Sequence, residues 1–101
     1  MKKEYKNELG QYHRIDGPAI EDSDGAKQWR INGKLHRTDG PALENNYSKY
    51  WFINGKLHRE DGPAIEYSDG DKFWYLNDIG YIEEEFHQEL IKLKLKRLIK
   101  L

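Results

Sequence analysis

Three copies of one stretch hold most of the side chains that could do chemistry. They are His13-Arg14-Ile15-Asp16-Gly17-Pro18-Ala19, His36-Arg37-Thr38-Asp39-Gly40-Pro41-Ala42 and His58-Arg59-Glu60-Asp61-Gly62-Pro63-Ala64. Imidazole beside carboxylate suits a divalent cation or the activation of water, and imidazole beside guanidinium suits an anion. His36, Arg37, His58 and Arg59 are therefore the candidate anion-binding residues, for a nucleotide, a phosphorylated partner or nucleic acid.

Two features weigh against chemistry at these positions. A metal needs ligands that converge in one coordination sphere, whereas equivalent residues of a repeat diverge along the array. Each arginine is also followed two residues later by an aspartate, which neutralises the strip. The competing reading is structural: Arg and Asp pair across the turn, His packs over an aromatic layer, and each link is locked. No Gly-rich phosphate loop, nucleophile elbow or His-Glu-x-x-His pattern occurs, and His87 is isolated. The expectation is a chain that is not an enzyme, with no catalytic residue, metal site or cofactor.

The histidines recur at intervals of 23 and 22 residues. That is the length of a single supersecondary unit that buries its apolar face by stacking on its neighbours. Within the first unit, the turn formers Asp22-Ser23-Asp24-Gly25 precede Lys27-Gln28-Trp29-Arg30-Ile31, whose alternation places Trp29 and Ile31 on one strand face. Asn32-Gly33 suits a type I′ hairpin turn, and Lys34-Leu35-His36 is the return strand. The second unit repeats this with Trp51, Ile53 and Asn54-Gly55, and the third with Trp74, Leu76 and Asn77-Asp78. The one-residue change of period falls in Asn45-Asn46-Tyr47-Ser48-Lys49, a turn, where it leaves the sheet faces unchanged. In each link, Gly precedes Pro because glycine escapes the crowding that proline imposes on its neighbour.

Residues 1–12 form a leading half-repeat and cap, residues 13–79 three β repeats, and residues 82–101 something different. This last segment has no Gly or Pro, opens with Glu83, Glu84 and Glu85, and ends in Lys96, Arg97 and Lys100. That charge order complements a helix dipole and predicts a C-terminal helix. Its apolar residues fall in two stripes: Ile91, Leu95, Leu98 and Ile99, then Phe86, Leu90, Leu93 and Leu101. One stripe caps the open sheet end, leaving the other for a partner or a homodimer seam. The fold expected is mainly β: an elongated antiparallel meander of about three and a half hairpin repeats, closed by one helix, in a single domain.

The chain has 17 basic and 18 acidic side chains, for a net charge of −1. That balance speaks against sequence-independent binding to nucleic acid. No cysteine is present, no run of apolar residues approaches a membrane span, and no signal segment leads the chain, so a cytoplasmic location is expected. With 3 Trp, 7 Tyr and 3 Phe, the core is expected to be thin and aromatic.

Lys49-Tyr50-Trp51-Phe52-Ile53-Asn54-Gly55-Lys56 and Lys72-Phe73-Trp74-Tyr75-Leu76-Asn77 resemble the strand-turn signature of MORN repeats, in the bacterial variant where an aromatic strand leads into Asn-Gly-Lys. The resemblance covers residues 13–79 and departs from the family in its His-Arg-x-Asp-Gly-Pro-Ala link. It implies stacked β-hairpins with scaffold or binding roles, in some cases antitoxin-like.

Trp29, Trp51 and Trp74 share parity with Ile31, Ile53 and Leu76 and belong to the buried face. Tyr50, Phe52, Phe73 and Tyr75 have the opposite parity, where the first repeat carries Gln28 and Arg30. These four aromatics, with Leu95 and Leu98, are the candidate partner-binding residues. The function expected is a protein-binding repeat module. A small chain rich in Lys, Asn and Ile also fits a phage or mobile-element inhibitor that blocks a host or defence protein by occlusion, an antitoxin-like or counter-defence role. The alternatives are a structural scaffold that dimerises through residues 82–101, and a phosphate or nucleic-acid binder using the Arg/His ladder.

Overall fold

A computed structural model describes residues 1–100; Leu101, assigned above to the second helical stripe, lies outside the described residues. Twelve short antiparallel strands precede one helix. They are β1 (Lys3–Glu4), β2 (Ile20–Glu21), β3 (Lys27–Gln28), β4 (Arg30–Ile31), β5 (Lys34–Leu35) and β6 (Leu43–Glu44). The second half holds β7 (Ser48–Tyr50), β8 (Phe52–Ile53), β9 (Lys56–Leu57), β10 (Ile65–Tyr67), β11 (Lys72–Leu76) and β12 (Ile79–Tyr81). Helix α1 (Glu83–Ile99) follows at once, with Glu83, Glu84 and Glu85 in its first turn and Lys96 and Arg97 in its last.

Eight strands form one meander sheet in the order β1-β2-β3-β6-β7-β10-β11-β12. The pairs β4–β5 and β8–β9 are separate ribbons that branch from it. The branch points are tryptophans. Trp29 donates its N–H to Ala42 in the main sheet, at 2.7 Å, and accepts from His36 in the ribbon, at 3.0 Å. Trp51 does the same with Ala64 and His58. In the third repeat β11 runs unbroken through Trp74, so main strand and ribbon merge. The resulting plate measures 44 × 38 × 18 Å.

The ribbon turns follow the sequence chemistry. Asn32 and Gly33 take φ of 48° and 85°, Asn54 and Gly55 50° and 81°, and Asn77 and Asp78 50° and 70°. Both central positions of a type I′ turn need positive φ, which Asn, Gly and Asp tolerate best. In the shorter turn of the second repeat, the Asn45 side-chain oxygen instead accepts the backbone N–H groups of Tyr47 and Ser48. This Asx turn absorbs the change of period without disturbing strand parity.

The two sheet faces carry different rows. On one face, cross-strand neighbours run Lys3, Glu21, Lys27, Glu44, Lys49, Glu66 and Lys72, a ladder of alternating charge across seven strands. Opposite charges in register stabilise a sheet by a few tenths of a kcal/mol to about 1 kcal/mol per pair. On the other face the same strands carry Glu4, Ile20, Gln28, Leu43, Tyr50, Ile65 and Phe73.

The buried residues are Ala19, Ile20, Ala42, Ala64, Ile65, Leu76, Phe86 and Leu90, with Ser48 the one buried polar residue among those described. An aromatic core is not what forms: Trp29, Trp51 and Trp74 are only half-buried. A plate with no second sheet cannot enclose an indole. The link alanines lie against the sheet and vanish from solvent instead. Apolar packing concentrates at the C-terminal end, where Phe86 and Leu90 meet Leu76, flanked by Trp74, Tyr81 and Leu93.

Candidate functional site

The three links are built alike from their arginines outward. The Arg14, Arg37 and Arg59 guanidinium carbons lie 4.1, 3.8 and 3.8 Å from the ring centroids of Tyr5, Trp29 and Trp51. Each therefore caps the aromatic residue of the preceding strand in a cation–π contact. Nε of each donates to Asp16, Asp39 or Asp61 at 3.2, 2.9 and 2.8 Å, and Nη1 to the carbonyl of Pro18, Pro41 or Pro63 at 3.2, 3.0 and 3.0 Å. Arg59 also donates to Glu66 of the charge ladder, at 2.8 Å.

This geometry explains the glycine of the motif differently from its neighbouring proline. A Cβ at Gly17, Gly40 or Gly62 would stand 3.0, 2.8 or 3.0 Å from the guanidinium carbon of its own link. Glycine is there to admit the arginine. Its φ is not in the left-handed region at any of the three.

The histidines do not pack over the aromatic layer, as expected from the sequence; the arginines hold that place. His13, His36 and His58 instead accept at Nδ1 the backbone N–H of Asn32, Asn54 and Asn77, at 2.9, 3.0 and 3.1 Å. Each link thus fixes the hairpin turn of its own repeat. The bond requires a ring whose Nδ1 carries no proton. Of the candidate anion-binding residues, His36, Arg37, His58 and Arg59 lie on the same side of the sheet, and each is engaged by these contacts. Among the described residues, no group of three metal-ligating side chains comes together.

The third link differs at one residue. Glu60 stands where the others have Ile15 and Thr38, and it accepts from His58 Nε2 at 2.8 Å and from both terminal nitrogens of Arg97, with Nη1 at 2.7 Å. The Arg97 guanidinium, acting first through its hydrogen bond, holds the Glu60 carboxyl down at about 2 against an ordinary value of 4.5. A chain of contacts therefore runs from the helix through Glu60 and His58 to the turn at Asn77.

The candidate partner-binding residues separate into two surfaces. Trp74 and Leu76 pack against α1, so by strand alternation Phe73 and Tyr75 face away from the helix. On that far side, Tyr67 meets Tyr50 and Phe73 edge-on, at 6.1 and 5.9 Å between centroids, and Phe52 lies 6.5 Å from Tyr50. The Tyr50 and Tyr67 hydroxyls are 3.3 Å apart, a contact that raises the Tyr67 pKa. Phe73 is 46% exposed, while Tyr75 lies over Gly80. Leu95 and Leu98 are 52% and 66% exposed on the outer side of α1, together with Ile91 and Ile99. The Phe86, Leu90 and Leu93 stripe is the one that packs inward.

Sequence reasoning passed over Tyr67, Glu60 and Arg97. Tyr67 carried a usable signal, because it stands two residues after Ile65 and so shares that residue's strand face. Comparison with family models, with curated proteins and with solved structures finds no match to this chain.

Proposed function

We propose that the chain is a non-enzymatic, MORN-like protein-binding repeat module. Its recognition surface is the sheet face around Tyr50, Phe52, Phe73 and Tyr75, extended by Tyr67. The observation that carries this reading is a contrast between positions. The link arginines and histidines are paired within the chain, whereas Tyr50, Phe52, Tyr67 and Phe73 of the second and third repeats form a contiguous cluster in which Tyr67 and Phe73 are exposed and the other two half-buried. Exposed aromatic clusters of this kind concentrate binding energy in protein interfaces.

Inhibition by occlusion suits such a surface, because covering a partner's site needs no chemistry. A counter-defence or antitoxin-like role in the cytoplasm of a host cell is the specific form of this proposal. No helix among the described residues is long and apolar enough to cross a membrane.

The test is a pull-down with the tagged full chain from lysate of the native host, repeated with Phe52→Ala and Phe73→Ala after each variant is shown by circular dichroism to be folded. A partner retained by the native chain and lost by both variants supports the assignment. Retention of every partner by both variants removes it.

A second reading has its own observation: the Ile91, Leu95, Leu98 and Ile99 stripe is exposed along α1. It predicts a homodimer through the helix. Light scattering on the native chain and on Leu95→Glu decides this, since a dimer that becomes monomeric favours the scaffold and a native monomer excludes it.

A further inference from the structure

We propose that the outer stripe of α1 pairs with an acidic amphipathic helix of another protein, one with apolar residues at the a and d positions of its heptads and glutamate or aspartate at e and g. This surface is independent of the aromatic sheet face, and its occupant differs from the second copy considered above.

The stripe has the spacing of a coiled-coil seam. Ile91, Leu95 and Leu98 stand four and then three residues apart, which makes Ile91 a d position, Leu95 an a position and Leu98 the next d. All three are more than half exposed, on a helix that turns Phe86, Leu90 and Leu93 inward. At 100° per residue the two sets fall on opposite sides, so packing against the sheet leaves the seam clear. Upstream, the a and d positions are Gln88 and Glu84, and the apolar seam stops there. From Ile91 to Leu98 it runs about two turns.

Charge selects the occupant. Lys92 and Lys94 hold the e and g positions that border the seam, and both are exposed. Residues 90–100 contain Lys92, Lys94, Lys96, Arg97 and Lys100 and no acid. Among the described residues, Lys92 pairs with Glu89 at 3.1 Å and Arg97 with Glu60, while Lys94, Lys96 and Lys100 form no ion pair. The C-terminal half of α1 is therefore an apolar seam with an uncompensated cationic border. Charges at e and g set which helix a coiled coil accepts, and lysines there call for acids.

A second copy does not supply those acids. In a parallel self-pair each g residue faces the following e of the other helix, so His87 would meet Lys92 and Lys94 would meet Ile99. In an antiparallel self-pair g faces g and e faces e, which sets lysine against lysine. A flat anionic lipid surface fits less well than a helix for a different reason. Glu84 lies in line with the seam and would be pressed against the same negative surface, whereas a partner helix can end or carry a basic residue there.

The experiment titrates the full chain into a labelled synthetic heptad peptide with Ile at a, Leu at d and Glu at e and g, and follows fluorescence anisotropy. The expected result is saturable binding, about tenfold weaker with Lys94→Glu and lost with Leu95→Glu, both exposed positions whose variants should keep the native circular dichroism. Affinity should be unchanged in Phe73→Ala, on the aromatic face. Absence of saturable binding overturns the proposal, and so does equal binding of a peptide with Lys at e and g, or loss of binding in Phe73→Ala. A native dimer in light scattering that Leu95→Glu makes monomeric overturns it by giving the seam to a second copy. Co-sedimentation with phosphatidylserine vesicles that Leu95→Glu abolishes overturns it by giving the seam to a lipid surface.

Discussion

The third tryptophan is treated differently from the first two. Trp29 and Trp51 each lie under a guanidinium that is fixed by an aspartate and a proline carbonyl. Trp74 has no fourth link above it and packs beside Phe86 and Leu90 instead. The interior of the array is held by a polar device that specifies register, and its end by ordinary apolar burial, which terminates the series without specifying a next repeat. Terminal units of repeat proteins need such caps to protect an otherwise open face.

The sharpest way to break this comparison is Phe86→Ala. Phe86 is fully buried, and its truncation should cost about 3–5 kcal/mol, a large part of the stability of a domain this size. Urea unfolding should show the midpoint fall steeply, and a loss under about 1 kcal/mol would mean that the helix is not the cap.

Gly40→Ala comes next. The added methyl would stand 2.8 Å from the Arg37 guanidinium carbon and must displace it from Trp29, at a cost of about 1–3 kcal/mol. Because both changes remove the same contact, Gly40→Ala and Arg37→Ala should be strongly non-additive in a double-mutant cycle. Additive effects would show that the glycine serves the backbone rather than the arginine.

His36→Leu should cost about 1 kcal/mol, by leaving the Asn54 amide without its acceptor. Hydrogen exchange at Asn54 should accelerate in the variant while that at Asn77 is unchanged.

The smallest effect is expected where the helix meets the last link. Glu60 is held at about 2 in the folded chain against 4.5 ordinarily, a depressed carboxylate. Its contribution to stability is complete above pH 4.5 and is lost as pH falls toward 2. Glu60→Gln should flatten the stability profile within that window and leave the slope above it unchanged.

Much of the fold could be read from local sequence. The Asn-Gly turns, the strand parity and the helix bounds depend on residues within one unit, and all appear near their expected positions. Most of the misses share one property: they join residues from different units, the exception being the histidine bonds to the Asn32, Asn54 and Asn77 turns. Arg37 belongs over Trp29 because the strand pairing brings a link back across the preceding strand. The Lys3-to-Lys72 ladder becomes a row only once six strand registers are set. Glu60 was read as the variable position of its motif, and its role appears only when Arg97 arrives from the helix, 37 residues away. The candidate site was read as one patch, but the parity that separates Phe73 from Trp74 also puts the aromatic cluster and α1 on opposite sides.

That ladder also bears on how copies of the chain meet in solution. Its first rung is Lys3, on the edge strand β1, and its last is Lys72 on β11, one strand in from the β12 edge. A sheet edge is a template for further pairing, and such edges invite endless addition of strands. Here, two plates approaching by their β1 edges would set lysine against lysine. Like charges directly opposed in register are repulsive. Lys3 therefore discourages strand addition at the β1 edge, while at the other end β12 and the helix that follows it lie beyond the last rung.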